Sequence, residues 1–270
     1  MTQITAHMVV KNEDQWIWYA ISSVLPYVDK FLIVDTGSSD HTVKIIKSFT
    51  DKKIQFTQTK IAVSADMTSV RQKQIDQTKT PWIWIVDGDE VYPEGTAEEI
   101  VKAAKSNKFE GIVVRRFDLL GDIYHRQLES VGEYNLFGHR GHLVTRLVNK
   151  NKIKGLHLVG DYPLEGFYDA AGISTREHSP ASWYITSSAL YHAMYLKRSS
   201  LGSNLPMFNR TKYKIETGSL IDHKPPEVMY KKHPSYVPSH LMSRSLTYEL
   251  AAGLITLIKK LKRVLISHKP

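Results

Sequence analysis

Between residues 4 and 116, five short apolar runs alternate with four stretches of helical period. This alternation narrows the possible fold more than any other feature of the chain. Residues 4–10, 31–34, 54–57, 82–86 and 111–116 have the length and composition of buried strands. Between them, Asn12 is placed to cap a helix reaching about residue 25, with Trp16, Ala20 and Val24 on one face. Asp40 is placed to cap the next, where Val43, Ile46 and Phe49 share a face. Residues 67–78 have helical character up to Pro81, and a fourth helix turns Ala97, Ile100, Val101 and Ala104 inward. Strands joined through helices of this length make βαβ crossovers, so the expected fold is α/β with a mainly parallel sheet flanked by helices. Ligands of such sheets bind beyond the carboxyl ends of the strands. Three polar clusters fall there: Lys11-Asn12-Glu13, Asp35-Thr36-Gly37 and Asp87-Gly88-Asp89. They are expected to meet in space.

The second half is less regular. Residues 142–148 suggest a strand, 155–182 a loop-rich region, and 183–199 a helix. Residues 223–240 are rich in proline. From 245 to 266 a helical period returns, with Leu246, Leu250, Leu254, Leu257, Leu261 and Leu265 on one stripe and Lys259, Lys260, Lys262 and Arg263 near its end. The expected organisation is one domain over residues 1–222, followed at 223–270 by a basic, Pro-rich linker and an amphipathic helix. The stripe suits three fates: lying on an anionic membrane surface, packing on the domain, or forming a homodimer interface.

Charge separates the two parts. The chain carries a net +9, and residues 223–270 hold nine Lys/Arg against two Asp/Glu, leaving the body nearly neutral. That argues against a nucleic-acid-binding body and gives the tail an anionic partner. The absence of cysteine excludes disulfides and thiolate chemistry. No signal-peptide pattern and no apolar run of about 18 residues is evident, so the expected location is cytoplasmic, either free or peripheral on the inner face of the membrane.

The chemistry concentrates in WIWIVDGDEVYP, residues 82–93, where an apolar strand runs into Asp87, Asp89 and Glu90. Two carboxylates separated by one glycine form a compact oxygen-donor site suited to Mg²⁺ or Mn²⁺, and they also form an ordinary solvated turn. Position favours the former, because the cluster sits at the ligand-binding edge of the expected sheet.

With these residues in view, the first 120 positions resemble family 2 glycosyltransferases of the GT-A fold, the Rossmann-like nucleotide-diphospho-sugar transferase architecture. MVVKNE matches the Lys-Asn-Glu-like turn after the first strand. DTGSSDHT matches Asp-x-Gly-Ser-x-Asp-x-Thr through Asp35, Gly37, Ser38, Asp40 and Thr42. Arg71 matches an arginine preceding the Asp-x-Asp motif, and VDGDE is that motif. The resemblance implies a nucleotide-sugar donor, Mn²⁺ or Mg²⁺ on its diphosphate, and a glycan or lipid-linked hydroxyl acceptor, as in polysaccharide biosynthesis. Residues 1–120 would bind the donor and 121–222 the acceptor. Carried over residue by residue, Val10, Asn12, Glu13, Asp35, Arg71, Asp87 and Gly88 would line the donor site, with Lys197 or Arg198 clamping the diphosphate. Asp87 and Asp89 would hold the metal, with His192 as a third ligand. Inverting relatives carry a His-Glu pair after an Arg-Leu pair. Here Arg146, Leu147 and His157 match, but Leu158 stands where the glutamate would be. Glu165, Asp169 and Asp161 are the nearby acids that would serve as base, Glu165 first. A sugar nucleotidyltransferase would need a glycine-rich loop after the first strand, which VVKNEDQW lacks. A non-catalytic nucleotide-sugar-binding protein is the remaining alternative.

Overall fold

The computed structural model describes residues 3–196 and 214–267. Eight strands form one large sheet: β1 (Ile4–Val10), β2 (Lys30–Asp35), β3 (Ile54–Gln58), β4 (Trp82–Ile85), β5 (Glu90–Val91), β6 (Gly111–Asp118), β7 (Leu143–Asn149) and β8 (Trp183–His192), in the spatial order β3-β2-β1-β4-β7-β6-β8-β5. The helices α1 (Ile17–Val24), α2 (Thr42–Lys47), α3 (Ser64–Gln77) and α4 (Glu94–Lys105) connect the first strands. The α/β class expected from the alternation is therefore borne out. The strands β3, β2, β1 and β4 pair in parallel, as βαβ crossovers require. Beyond β4 the sheet is mixed, because β7 runs antiparallel to both β4 and β6, and β5 antiparallel to β8.

The middle of the sheet is buried on both faces, and β4 shows why its sequence lacks a polar alternation. Trp82, Trp84 and Val86 enter one apolar cluster, with β1 and α1, while Ile83 enters a second, with Ile75, Val113 and Trp183. Alternate side chains thus fill two separate cores.

Residues 183–192 are a strand, correcting the expected helix. β8 pairs in parallel with β6 on either side of a register shift between Ile185 and Ala189, where Thr186-Ser187-Ser188 interrupt the apolar alternation by which a strand is read. Residues 193–196 of that expected helix form a turn, and residues 197–199, with Lys197 and Arg198, lie outside the described residues. The α1 helix also starts later than expected, at Ile17. Asn12 has φ 54° and is a left-handed turn residue rather than a cap. Asp40 is likewise not the cap of α2: His41 holds that position, and Asp40 stands one residue before it, its Oδ1 accepting the Thr42 amide at 2.9 Å.

The Pro-rich stretch after residue 222 packs along the domain. Val228, Met229 and Val237 join the main core. His240 stacks on Trp16 with ring centroids 3.7 Å apart. The Tyr19 hydroxyl donates to the Pro238 carbonyl at 2.9 Å. The last element is α5 (Leu246–Ser267). No helix among the described residues is long and apolar enough to cross a membrane.

Candidate active site

The loops after β1, β2 and β4 meet as their placement required. The Asn12 amide donates to Ser38 Oγ and its side-chain oxygen accepts from the Ser39 amide, both at 2.8 Å. The Glu13 amide donates to Thr42 Oγ1, also at 2.8 Å. Gly88 from the β4 loop presses on the β1 loop so closely that a Cβ would sit 3.1 Å from Glu13 Cγ and 3.2 Å from Val10 Cγ2. These contacts floor a cavity of about 560 Å³ at the carboxyl edge of the sheet. Val10, Glu13, Arg71, Asp87, Gly88, Asp89, Glu165 and His192 all line it.

Four of the sequence-derived candidates stand back from that wall. Asp35 is completely buried, and its carboxylate closes its own turn by accepting the Gly37 and Ser38 amides at 3.1 Å. Gly37 holds φ 100°, a conformation that requires glycine there. Asn12 is spent on pinning the β2 loop. Asp169 accepts the Ala171 and Ile173 amides at 2.9 Å and closes a turn. Asp161 is exposed in the loop before the Tyr162–Pro163 peptide. Of the three acids considered as base, Glu165 is the one that reaches the cavity.

Two charge systems organise the interior. The first centres on Arg146 from β7, which is 8% exposed. Its guanidinium donates to Asp87 Oδ2 at 2.6 Å and from Nε to Glu90 Oε1 at 3.0 Å. Burial pushes the Asp87 carboxyl up, but Arg146, Arg71 and His192 more than reverse this and hold it well below the usual carboxylate range. Burial raises Glu90, and neighbouring Asp87 adds to that shift against the pull of Arg146. Arg71 reaches in from α3, ion-paired with Glu165 and 3.9 Å from Asp87 Oδ1, with its guanidinium over the Tyr162 ring.

The second system centres on Asp118 at the end of β6. Its Oδ1 lies 2.8 Å from His192 Nδ1 and 3.2 Å from Arg116 Nε, and its Oδ2 lies 3.6 Å from His142 Nδ1. His192, at the end of β8, turns Nε2 to within 3.5 Å of Asp89 Oδ2. Burial lowers the His192 pKa, but Asp89 and Asp118 outweigh it and the net shift is upward. With Nδ1–H donated to Asp118, Nε2 is the ring nitrogen that faces Asp89: the upward shift favours a proton on it, and in the neutral ring it offers a lone pair to a cation. A spacing of 3.5 Å suits two ligands of one ion, each at about 2.1 Å from it. Imidazole and carboxylate together also suit Mn²⁺ chemically. Among the described residues, no group of three or more His, Asp or Glu side chains is arranged to hold an ion alone.

Arg146, Asp118 and His142 escaped the sequence-derived site. Arg146 was visible as half of the Arg-Leu pair. Asp118 and His142 carried no local signal, because they join His192 only through strand pairing.

The chain matches the model of glycosyl transferase family 2 over residues 5–159. The SPbeta prophage-derived glycosyltransferase SunS of Bacillus subtilis is 31% identical over 107 residues, covering 39% of this chain and 24% of that protein. An uncharacterized glycosyltransferase of Rickettsia felis is 30% identical over 152 residues, covering 56% of this chain and 49% of that one. The chain thus spans between about a quarter and a half of these relatives. Among solved structures, S. aureus TarS residues 1–349 superposes with a TM-score of 0.44 at 11% identity, over 76% of this chain and 67% of that one. Mycobacterium tuberculosis glucosyl-3-phosphoglycerate synthase, in complex with Mn²⁺, uridine diphosphate and glucosyl-3-phosphoglycerate, gives 0.34 at 17% identity, over 44% and 45%.

Proposed function

The chain belongs to glycosyl transferase family 2, and from that premise we propose that it transfers a sugar from a nucleoside-diphosphate donor to a hydroxyl of a glycan or lipid-linked acceptor, with inversion. The observation that carries this reading is the convergence of Glu13, Arg71, Asp87, Asp89 and His192 on one cavity from four separate segments. In this proposal Val10, Gly88 and Glu13 form the nucleoside wall. Asn12 and Asp35 shape that wall from behind by fixing the loops.

Asp89 and His192 would hold the divalent cation, Mn²⁺ or Mg²⁺, with Asp87 beside them and the donor's diphosphate completing the shell. Bound there, the cation would neutralise charge on the departing diphosphate. Arg71 would supply a further positive charge to the same group. Glu165 is the proposed base: it takes the acceptor hydroxyl proton as that oxygen bonds to the anomeric carbon and the nucleoside diphosphate leaves with the bonding electrons. Phosphates entering the cavity would compete with Glu165 for Arg71, and that competition would free the carboxylate.

The test is calorimetry with a nucleoside diphosphate, with and without Mn²⁺, on the parent and on Asp89→Ala. Metal-dependent binding that the variant loses supports the site. Binding that survives in the variant overturns it. The alternative, a nucleotide-sugar-binding protein without turnover, draws on the missing glutamate at Leu158. It predicts binding with neither transfer nor donor hydrolysis for any nucleotide sugar.

A further inference from the structure

The α5 helix docks on the domain by the wrong face for a leucine stripe. Its small and polar side carries the attachment. Ala252 and Thr256 are buried, Thr256 Oγ1 accepts the Thr217 amide at 2.9 Å, and Lys259 Nζ donates to Glu216 Oε1 at 2.9 Å. At its start, Arg244 ties Glu249 at 2.6 Å and the Thr217 carbonyl at 3.0 Å. The opposite side holds Leu246, Leu250, Leu254, Leu257, Ile258 and Leu261, which are between 57% and 78% exposed. Six large apolar side chains left in water on one ordered helix mark an interaction surface.

We propose that this face lies on an anionic lipid bilayer. At about 100° per residue, Lys260 and Lys262 fall on opposite borders of the leucine face, and both are exposed. Lysines so placed send their charge to the headgroup layer while the leucines enter the acyl boundary. The helix contains one acidic residue, Glu249, and Arg244 holds it. A second copy packed on this face would set border lysines against a helix with no free acid to pair with them. An anionic surface complements them. Ile258 also widens the face beyond the narrow seam that a coiled coil uses. This proposal is independent of the reading of the cavity.

The experiment is flotation of the full chain with vesicles of phosphatidylcholine alone, or with about 30% phosphatidylglycerol. The expected result is binding to the anionic vesicles, weakened when salt rises from about 0.1 to 0.5 M, and little binding to neutral ones. Lys260→Glu with Lys262→Glu should cut partitioning by roughly tenfold or more. Leu250→Gln, Leu254→Gln and Leu257→Gln together should abolish it. These side chains are exposed, so circular dichroism and the melting temperature should be unchanged. A parent protein that stays in the aqueous phase would overturn the proposal. Equal binding to both vesicle types, or variants that bind like the parent, would do so too. So would a solution dimer that the leucine substitutions dissolve in a parent that binds no vesicles.

Discussion

Arg146 shows how much a single buried residue holds at this site. It neutralises Asp87 at the cavity wall and Glu90 beneath it, and Glu90 has no solvent exposure. Replacing Arg146 by Met would keep the bulk and orphan the carboxylates, a change that costs about 3–5 kcal/mol. The expected result in urea unfolding is a loss of that size for Arg146→Met, part of it recovered when Glu90→Gln is added. Equal losses in the single and double variants would assign the cost to packing instead. His7 makes a second residue-scale prediction. Burial and the charge of Lys150 lower its pKa to about 3, and its Nε2 lies 2.6 Å from Thr78 Oγ1. The native state therefore keeps His7 neutral while the unfolded chain takes up a proton below pH 6.5. The stabilising contribution is complete above 6.5 and is lost progressively as pH falls toward 3. Between about pH 7.5 and 5 this one group removes roughly 2 kcal/mol. His7→Gln should shrink the difference in unfolding free energy between those two pH values by that amount. An unchanged difference would mean that other histidines carry the pH dependence.

At the scale of elements, β4 is both mount and core. Its parallel partner β1 and antiparallel partner β7 fix its direction, so the residues that follow it emerge at the cavity beside Glu13 and Arg146. Trp84 is fully buried and meets Tyr92 edge-on with ring centroids 5.1 Å apart. Trp84→Ala should cost about 3–5 kcal/mol in chemical denaturation. Loss of nucleotide binding is expected to follow only where unfolding begins, because Trp84 faces the core and not the cavity. The β1, β2 and β4 strands were legible in sequence because each is a short apolar run ending in polar turn residues. β8 was not, because Thr186-Ser187-Ser188 break its apolar alternation where the pairing with β6 shifts register, and the pattern left is ambiguous between strand and helix. That ambiguity also misplaced His192: on a helix it shares a face with Leu196, whereas on β8 it ends a strand beside Asp118.

At the scale of the whole molecule, the donor site is an assembly of strand ends, and a ligand that bridges them should tighten the entire domain. A nucleoside diphosphate with Mn²⁺ at about 100 times its dissociation constant should add roughly 2.7 kcal/mol of stability. A thermal shift should therefore appear with both present and be nearly absent with either alone. A shift of the same size without metal would argue against Asp89 and His192 as its ligands. The segment over residues 223–241 takes part in the same body through Val228, Val237 and the His240–Trp16 stack. The sequence by itself determined the α/β class, the parallel half of the sheet and the polar turns at its edge. Those follow from local periodicity and turn chemistry, which neighbouring residues carry. The tertiary structure alone decided that Asp118 orients His192, that Arg146 neutralises Asp87 and Glu90, that Glu165 and not Asp161 or Asp169 reaches the cavity, and that α5 turns its leucines outward. Each of these depends on which segments pair across long sequence separations, and a linear pattern specifies side-chain type without specifying the neighbour that the fold will bring.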